Sequence, residues 1–232
     1  NSVVNGANFL STLSVAPGEI VNVFGLDIGP PELTQLQLSG GRVTTSLADT
    51  RVMFDEIPAP LIYVAKDVVS AVVPFGIASR PTTTIRVQHN GQSSNARTVS
   101  VVQALPALFT LDASGRGPAA AVNQNFSYNT AQSPAPKGSV VVLYATGLGQ
   151  TNPAGLDGKP NAAPFPVPTL PVKVRIAGRT SPVHFVGGAP GFVAGAMQLN
   201  VQIPDDCPSG AVPVVVQVGE TSSTQNVSIW VQ

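Results

Sequence analysis

Charged residues are scarce in this chain of 232 residues. They make up 10% of the sequence, and 12 basic residues balance 12 acidic ones. An average soluble domain is roughly 25% charged. Binding to nucleic acid requires clustered Lys and Arg side chains that displace counterions from the phosphates. The composition therefore predicts no nucleic-acid partner.

Cysteine and long apolar runs are also lacking. The single cysteine, Cys207, has no partner for an intramolecular disulfide. No apolar run approaches the roughly 18 residues that cross a bilayer, so we expect no membrane span. The first residues do not resemble a secretory leader, which predicts a cytosolic protein or one whose signal peptide is already removed.

Histidine is too rare to furnish an evident catalytic centre. Acyl transfer needs a nucleophile, a base and an orienting acid, and the only histidines are His89 and His184. His89 precedes an Asn-Gly turn and His184 lies in an alternating run, so we predict that both are surface strand residues. The sequence has no Gly-x-Ser-x-Gly elbow, phosphate loop or dinucleotide fingerprint. We expect no enzyme activity, no catalytic residue and no cofactor.

Metal-ligand spacings are absent as well. Two histidines and one cysteine in separate segments do not match a zinc site. The best local candidate for calcium is Asp112 with Ser114. The alternative, which we favour, is an Asx turn in which Asp112 caps its own backbone before Gly115 takes a positive φ. We therefore expect no bound metal.

The chain is rich instead in short runs that alternate apolar and polar residues. Residues 197–203, 212–218 and 227–231 all alternate with a period of two, which predicts half-buried strands. Residues 65–73 are rich in β-branched Val and end at Pro74, so we predict a strand there also. Helical periods are almost absent, and the fold class is all-β.

The sequence repeats once, at a period of about 120 residues. Gly18 recurs as Gly138, and Pro74 recurs as Pro204. The repeat predicts two tandem immunoglobulin-like β-sandwich domains, over residues 1–105 and 106–232. The connector, residues 104–109, is apolar and differs from a flexible polar linker, so we predict a stiff pair.

Several motifs resemble known families. Pro17-Gly18 before an apolar strand and Ser94-Asn95 before the last strand of the first unit resemble IPT/TIG immunoglobulin-like domains. The run from Gly188 to Gly195, followed by Gln-Leu-Asn-Val-x-Ile-Pro, is similar to an uncharacterised C-terminal domain family that is abundant in Solibacter and other Acidobacteria. That resemblance implies the tail of a larger exported protein, either secreted or located in the cell envelope.

Three aromatic residues are candidate contacts for a ligand or partner. Alternation places Trp230 on the outward face of its strand. The Pro-rich loop 150–171 is either a pre-ordered contact surface with Phe165 at its tip or a strap that crosses from one sheet to the other. Phe192 lies in the Gly-rich segment 187–195, for which a bend packed against the domain interface is favoured over a ligand loop.

These observations lead to two hypotheses about function. The first is a non-catalytic rigid spacer or protein-interaction module, whose partners are other domains of a parent protein or another envelope protein. The alternative is a carbohydrate-binding accessory domain, in which Trp230, Phe165 or Phe192 would stack on polysaccharide. An exposed platform that combines these aromatics would favour the second hypothesis.

Overall fold

The computed structural model describes residues 2–11, 13–224 and 226–232. This part of the chain is all-β, and its one helical element is a 3-10 turn at Phe75–Ile77. None of its helices is long and apolar enough to cross a membrane. The fold class predicted from the alternating runs is confirmed.

The described residues of the first half of the chain form thirteen strands. Most are two to five residues long and are closed by turns that contain Gly, Asn or Asp. The strands are β1 (Ser2–Asn5), β2 (Ser14–Val15), β3 (Ile20–Phe24), β4 (Thr34–Gln35), β5 (Leu38–Ser39), β6 (Arg42–Val43), β7 (Thr50–Phe54), β8 (Ile57–Pro58), β9 (Leu61–Ala65), β10 (Val68–Val72), β11 (Thr82–His89), β12 (Gln92–Ser93) and β13 (Arg97–Val101).

These strands build a sandwich of two sheets, here called the first sandwich. One sheet has the order β1-β3-β10-β9-β4, and the other has the order β2-β13-β11-β7-β8 with β12 on β11. Strands β5 and β6 form a separate hairpin. The inward side chains of both sheets meet in one apolar core, in which Phe54, Leu61, Ile77 and Ile85 are almost completely buried.

In the second half, the part of the chain that the structure describes also forms thirteen strands. They are β14 (Ala107–Leu108), β15 (Gly117–Pro118), β16 (Ala121–Asn123), β17 (Val140–Thr146), β18 (Thr151–Asn152), β19 (Val167–Pro168), β20 (Val172–Ile176), β21 (Arg179–Ser181), β22 (Val183–Gly188), β23 (Met197–Gln202), β24 (Gly210–Val218), β25 (Thr221–Ser222) and β26 (Val227–Val231). Their sheets form the second sandwich, with its own core around Leu143, Ile176, Leu199 and Ile229.

The strand order of the first sandwich recurs in the second. One sheet has the order β14-β17-β23-β22 with β16 on β17, and the other has the order β15-β26-β24-β20-β21 with β25 on β24. Even the parallel pair β2-β13 has a counterpart in β15-β26. In the described residues, every ladder joins strands of the same sandwich. That the sandwiches are two domains divided at Leu105 stays a prediction.

The predicted strands are confirmed in detail with one correction. Residues 197–202 alternate buried and half-buried positions, as their period of two requires. The prediction of one strand over residues 65–73 is wrong at its start, because Lys66 and Asp67 form a hairpin turn between β9 and β10. The turn was not predicted because it lies within a Val-rich run and neither of its residues is Gly, Pro or Asn.

Candidate functional site

The two sandwiches meet at a turn that leads into β3. Residues 15–20 of this turn are all buried, and Gly18 adopts a positive φ of 71°. The corresponding turn of the second sandwich has the same backbone at Gly138, where φ is 75°, yet residues 136–140 are half-buried or exposed. The turn is therefore buried in the first sandwich, whereas the corresponding turn in the second sandwich is partly accessible to solvent.

Hydrogen bonds across the junction connect the two backbones through one side chain. The Ile20 N–H donates to Thr146 Oγ1 at 2.8 Å, and that hydroxyl donates to the carbonyl of Gly195 at 3.0 Å. Thr146 is completely buried. Because a buried backbone N–H left without an acceptor is costly, this hydroxyl fixes where β3 meets the second sandwich.

An apolar cluster surrounds these hydrogen bonds. Ile20 and Val72 of the first sandwich pack with Ala189 and Ala196 of the second. Further apolar side chains cover the cluster on both sides, namely Ile62, Phe109, Tyr144 and Val193. The small alanines let the segment 189–196 approach the β3-β10 sheet closely, and burial of this surface favours a fixed arrangement of the sandwiches.

The first part of the loop 150–171 clamps the junction from the side. Gln150 Nε2 donates to the carbonyl of Phe75 at 2.9 Å, and the Phe75 N–H donates to Asp157 Oδ1 at 2.9 Å. The Val43 N–H donates to the carbonyl of Gly158 at 2.8 Å. Burial raises the pKa of Asp157 against the lowering effect of the Phe75 N–H. This part of the loop therefore holds the first sandwich.

Glu19 is completely buried within the same turn. Its Oε1 accepts a hydrogen bond from Asn5 Nδ2 and its Oε2 accepts one from the Ala16 N–H, both at 2.8 Å. Burial raises the pKa of Glu19 to about 8, although the two hydrogen bonds lower it. In the second sandwich the corresponding residue is Ser139, so the acid occurs only in the covered copy.

The segment 187–195 packs against the junction, as the sequence analysis favoured. Gly195 lies so close to Gly18 that a Cβ on Gly195 would stand 2.3 Å from the Gly18 carbonyl oxygen. Pro74 lies ten positions after Val64, whereas Pro204 lies eighteen positions after Val186. The second sandwich thus has eight additional residues between the corresponding positions. This difference in length is the feature of the sequence that could have predicted a contact loop. The residues that this loop contacts on the first sandwich, such as Gly18, were not predicted.

Trp230 lies on the outer face of β26. It alternates with the buried residues Ile229 and Val231 and is itself half-buried. The Asn129 side chain holds this edge of the strand, since its Oδ1 accepts from the Trp230 N–H at 2.6 Å and its Nδ2 donates to the Trp230 carbonyl at 2.8 Å. The sheet of β26 is opposite the sheet of β17, which faces the junction.

Phe165 and Phe192 lie apart from Trp230. The Phe165 ring is half-buried and meets Phe185 edge-on, with 6.2 Å between centroids. Phe192 is 56% exposed, and its ring lies 6.0 Å from that of Tyr144 on β17. The loop that carries Phe165 runs from β17 in one sheet to β20 in the other, which is the course expected of a strap. The three candidate aromatics do not form one platform.

The hydrogen bonds recorded for the two histidines are to uncharged side chains. His89 Nδ1 is 2.8 Å from Thr50 Oγ1, and His184 Nε2 is 3.2 Å from Gln202 Oε1. Both are on strands, β11 and β22, as predicted. Neither contact provides a carboxylate that would orient the ring as a base.

The Asp112 segment forms the Asx turn that we favoured over a calcium site. The Ser114 N–H donates to Asp112 Oδ1 at 3.0 Å, and Gly115 has a φ of 78°. The hydrogen bonds from Ser114 lower the pKa of Asp112. Over residues 2–11, 13–224 and 226–232, no group of three or more His, Cys, Asp and Glu side chains could hold a metal ion.

Comparison with known proteins yields structural likeness only. No family model matches the chain, and no curated protein matches its sequence. SGBP-B of the mixed-linkage glucan utilization locus of Bacteroides ovatus, solved with a mixed-linkage heptasaccharide, is 11% identical over 94% of this chain, with a TM-score of 0.37. The plexin A4 extracellular region is 12% identical over 100% of the chain, with a TM-score of 0.32.

A third solved structure is the I9-I11 tandem of titin. It is 7% identical over 82% of this chain, with a TM-score of 0.24. The chain spans 44%, 15% and 58% of the SGBP-B, plexin and titin chains, respectively. At these identities and TM-scores the likeness carries no conclusion about what this chain binds or does.

Proposed function

We propose that this chain is a non-catalytic rigid spacer or protein-interaction module of an exported bacterial protein. The observation that carries the proposal is the junction, where the Ile20 N–H, the Thr146 hydroxyl and the Gly195 carbonyl form one buried chain of hydrogen bonds. Interfaces between domains that move relative to one another are small and are more polar than permanent interfaces. Here an apolar cluster and a loop clamp add to the buried hydrogen bonds.

A location outside the cytoplasm and partners within a parent or envelope protein belong to the same proposal. They are supported by the resemblance of the Gly188 to Gly195 run and by the low charge of the chain. The alternative, polysaccharide binding at Trp230, Phe165 or Phe192, gains no support from their positions. A sugar platform needs rings that face one ligand, and Trp230 lies on the sheet opposite to Tyr144 and Phe185, the ring partners of Phe192 and Phe165.

Rigidity is tested by the distribution of distances between the two sandwiches. We would introduce Gln92→Cys and Glu220→Cys, which are exposed positions on the corresponding hairpins β11-β12 and β24-β25, and attach spin labels. Cys207 is buried and stays unlabelled in the folded protein. We expect one narrow distance distribution by pulsed electron paramagnetic resonance, because the junction fixes β3 against β17.

The matched perturbation is Thr146→Val, which preserves the shape of the side chain but removes the acceptor for the Ile20 N–H. We expect it to broaden the distribution and to lower the free energy of unfolding by about 1–3 kcal/mol. Thr98→Val, an exposed position on β13, is the control and should change neither quantity. A broad distribution in the unmutated chain would contradict the spacer proposal.

A further inference from the structure

A hairpin in the second sandwich carries two strongly exposed aromatic side chains. Phe126 is 90% exposed and Tyr128 is 67% exposed. The hairpin is closed by a bridge between Val122 and Tyr128 and by hydrogen bonds from the Asn123 N–H to the Ser127 carbonyl and from the Phe126 N–H to the Asn123 carbonyl. Both rings therefore project from a well-defined turn.

The backbone at the tip is in an unusual conformation for its residue. Phe126 has a φ of 66°, in the left-handed region that bulky side chains rarely adopt. Asn or Gly would occupy this position with less strain. Strained positions of this kind are concentrated at ligand sites, where the side chain itself is needed. The Phe126 ring is therefore a candidate contact for a ligand.

An uncharged cleft of about 490 Å³ lies beside the hairpin. Its polar lining, within the described part of the chain, consists of amides and hydroxyls and has no charged side chain. These groups include those of Asn123, Gln124, Asn125, Gln132, Ser133 and Gln232. Amides and hydroxyls both donate and accept hydrogen bonds, which matches the hydroxyls of a neutral sugar. Exposed rings supply the faces on which sugar CH groups stack.

Hydrogen bonds fix the hairpin against the cleft before any ligand binds. Asn123 Nδ2 donates to the Ser133 carbonyl at 2.8 Å, and Ser127 Oγ lies 2.8 Å from Ser133 Oγ. Asn125 Oδ1 accepts from both the N–H and the hydroxyl of Ser127. A pre-ordered surface loses little conformational entropy on binding, which favours affinity.

The loop of the first sandwich that corresponds to this hairpin is less exposed to solvent. Phe9, the counterpart of Phe126, also has a positive φ of 56° but is only 39% exposed. Its neighbour Asn8 packs on Gly115 of the second sandwich, where an added Cβ would lie 2.7 Å from the Asn8 backbone. The first copy is therefore partly enclosed by the second sandwich, and the second copy is free.

We propose that Phe126, Tyr128 and the adjoining amide-lined cleft form a binding site for a neutral polysaccharide. This site is separate from Trp230, Phe165 and Phe192 and does not depend on the spacer proposal. Rings and amides recognise an uncharged polymer, so binding should be insensitive to salt.

The test is affinity electrophoresis of the whole chain in gels that contain xyloglucan, galactomannan, a soluble β-glucan or, as an anionic comparison, polygalacturonate. We expect at least one neutral polymer to retard the chain and polygalacturonate to have no effect. Phe126→Asn removes the ring but suits the positive φ, and with Tyr128→Ala it should weaken retardation about tenfold or more. Phe126→Tyr should retain it.

Phe192→Ala is the matched control, because it removes an exposed ring elsewhere on the second sandwich and should leave retardation unchanged. Thermal unfolding of each variant verifies that it is folded. Retardation by no neutral polymer would overturn the proposal, as would retardation that the Phe126→Asn, Tyr128→Ala variant retains in full, whatever the result for Phe192→Ala. Neither result would affect the distance measurement that tests the spacer.

Discussion

Replacing Gly195 by alanine is expected to open the junction between the sandwiches. Gly195 has a φ of 112°, and the new Cβ would stand 2.3 Å from the Gly18 carbonyl oxygen and 3.0 Å from the Val72 side chain. The first of these groups is backbone and cannot rotate away. The segment 189–196 must therefore move off the first sandwich, and the hydrogen bond from Thr146 to the Gly195 carbonyl breaks with it.

We expect this variant to lose roughly 3–5 kcal/mol of unfolding free energy, the range of substitutions that break a buried network. The interdomain distance distribution should broaden at the same time. Urea denaturation and spin-label distances measure the two effects. If Gly195→Ala unfolds like the unmutated chain and retains its narrow distribution, the junction is not the element that fixes the sandwiches.

Gly191→Ala is a matched control for that experiment. Gly191 lies in the same segment with a φ of 77°, but an added Cβ there meets nothing within 4 Å. It therefore carries the same type of backbone strain, about 1–2 kcal/mol, without the collision. The distance distribution of Gly191→Ala should remain narrow. The difference between the two variants isolates the contact with Gly18 from the strain of a positive φ.

The strands of this protein could be predicted from sequence because their information is local. Each inward residue of β23, such as Leu199 or Val201, is apolar and each outward one, such as Asn200, is polar. This alternation of apolar and polar residues is expected wherever one face of a strand is buried and the other is not, whatever the rest of the fold. The same locality explains the error at Lys66 and Asp67, where Asp67 alone favours a turn and the Val-rich run around it indicates a strand. The pairing of β9 with β10 reveals the turn.

The junction and the exposed hairpin depend on contacts that a local pattern does not contain. Glu19 follows a glycine with nearly the same φ as the glycine before Ser139, yet Glu19 is completely buried and Ser139 is half-buried. Phe9 and Phe126 hold corresponding places in sequence, but one is partly enclosed and the other is exposed. The repeat therefore predicted that corresponding residues of the two sandwiches have the same environment. Packing of one sandwich against the other gives them different degrees of burial.

The second large effect expected is a loss of stability between pH 4.5 and 8 that comes from Glu19. Its pKa is about 8 in the folded chain and 4.5 as its ordinary value. Below pH 4.5 both states hold the proton. Between the two values the unfolded chain releases a proton that the folded chain keeps, so unfolding becomes easier as pH rises. Above pH 8 both states are ionised, and the loss stays constant.

The size of the loss follows from the separation of the two pKa values and is roughly 3–5 kcal/mol. Urea denaturation at several pH values between 4.5 and 8.5 measures it. Glu19→Gln cannot ionise, so its unfolding free energy relative to the unmutated chain should rise steadily through this range. Glu56→Gln, which alters an exposed acid, should follow the unmutated chain. Parallel curves for all three would mean that Glu19 does not titrate in this range.

We expect the pH effect and the junction to be connected, because the residues on both sides of Glu19 contact the second sandwich: Gly18 lies against Gly195, and the Ile20 N–H donates to Thr146. In Gly195→Ala, where these contacts are displaced, water should reach the carboxyl and its pKa should fall toward 4.5. The loss of stability between pH 4.5 and 8 should then shrink in Gly195→Ala and persist in full in Gly191→Ala. An undiminished loss in Gly195→Ala would show that the first sandwich alone buries Glu19.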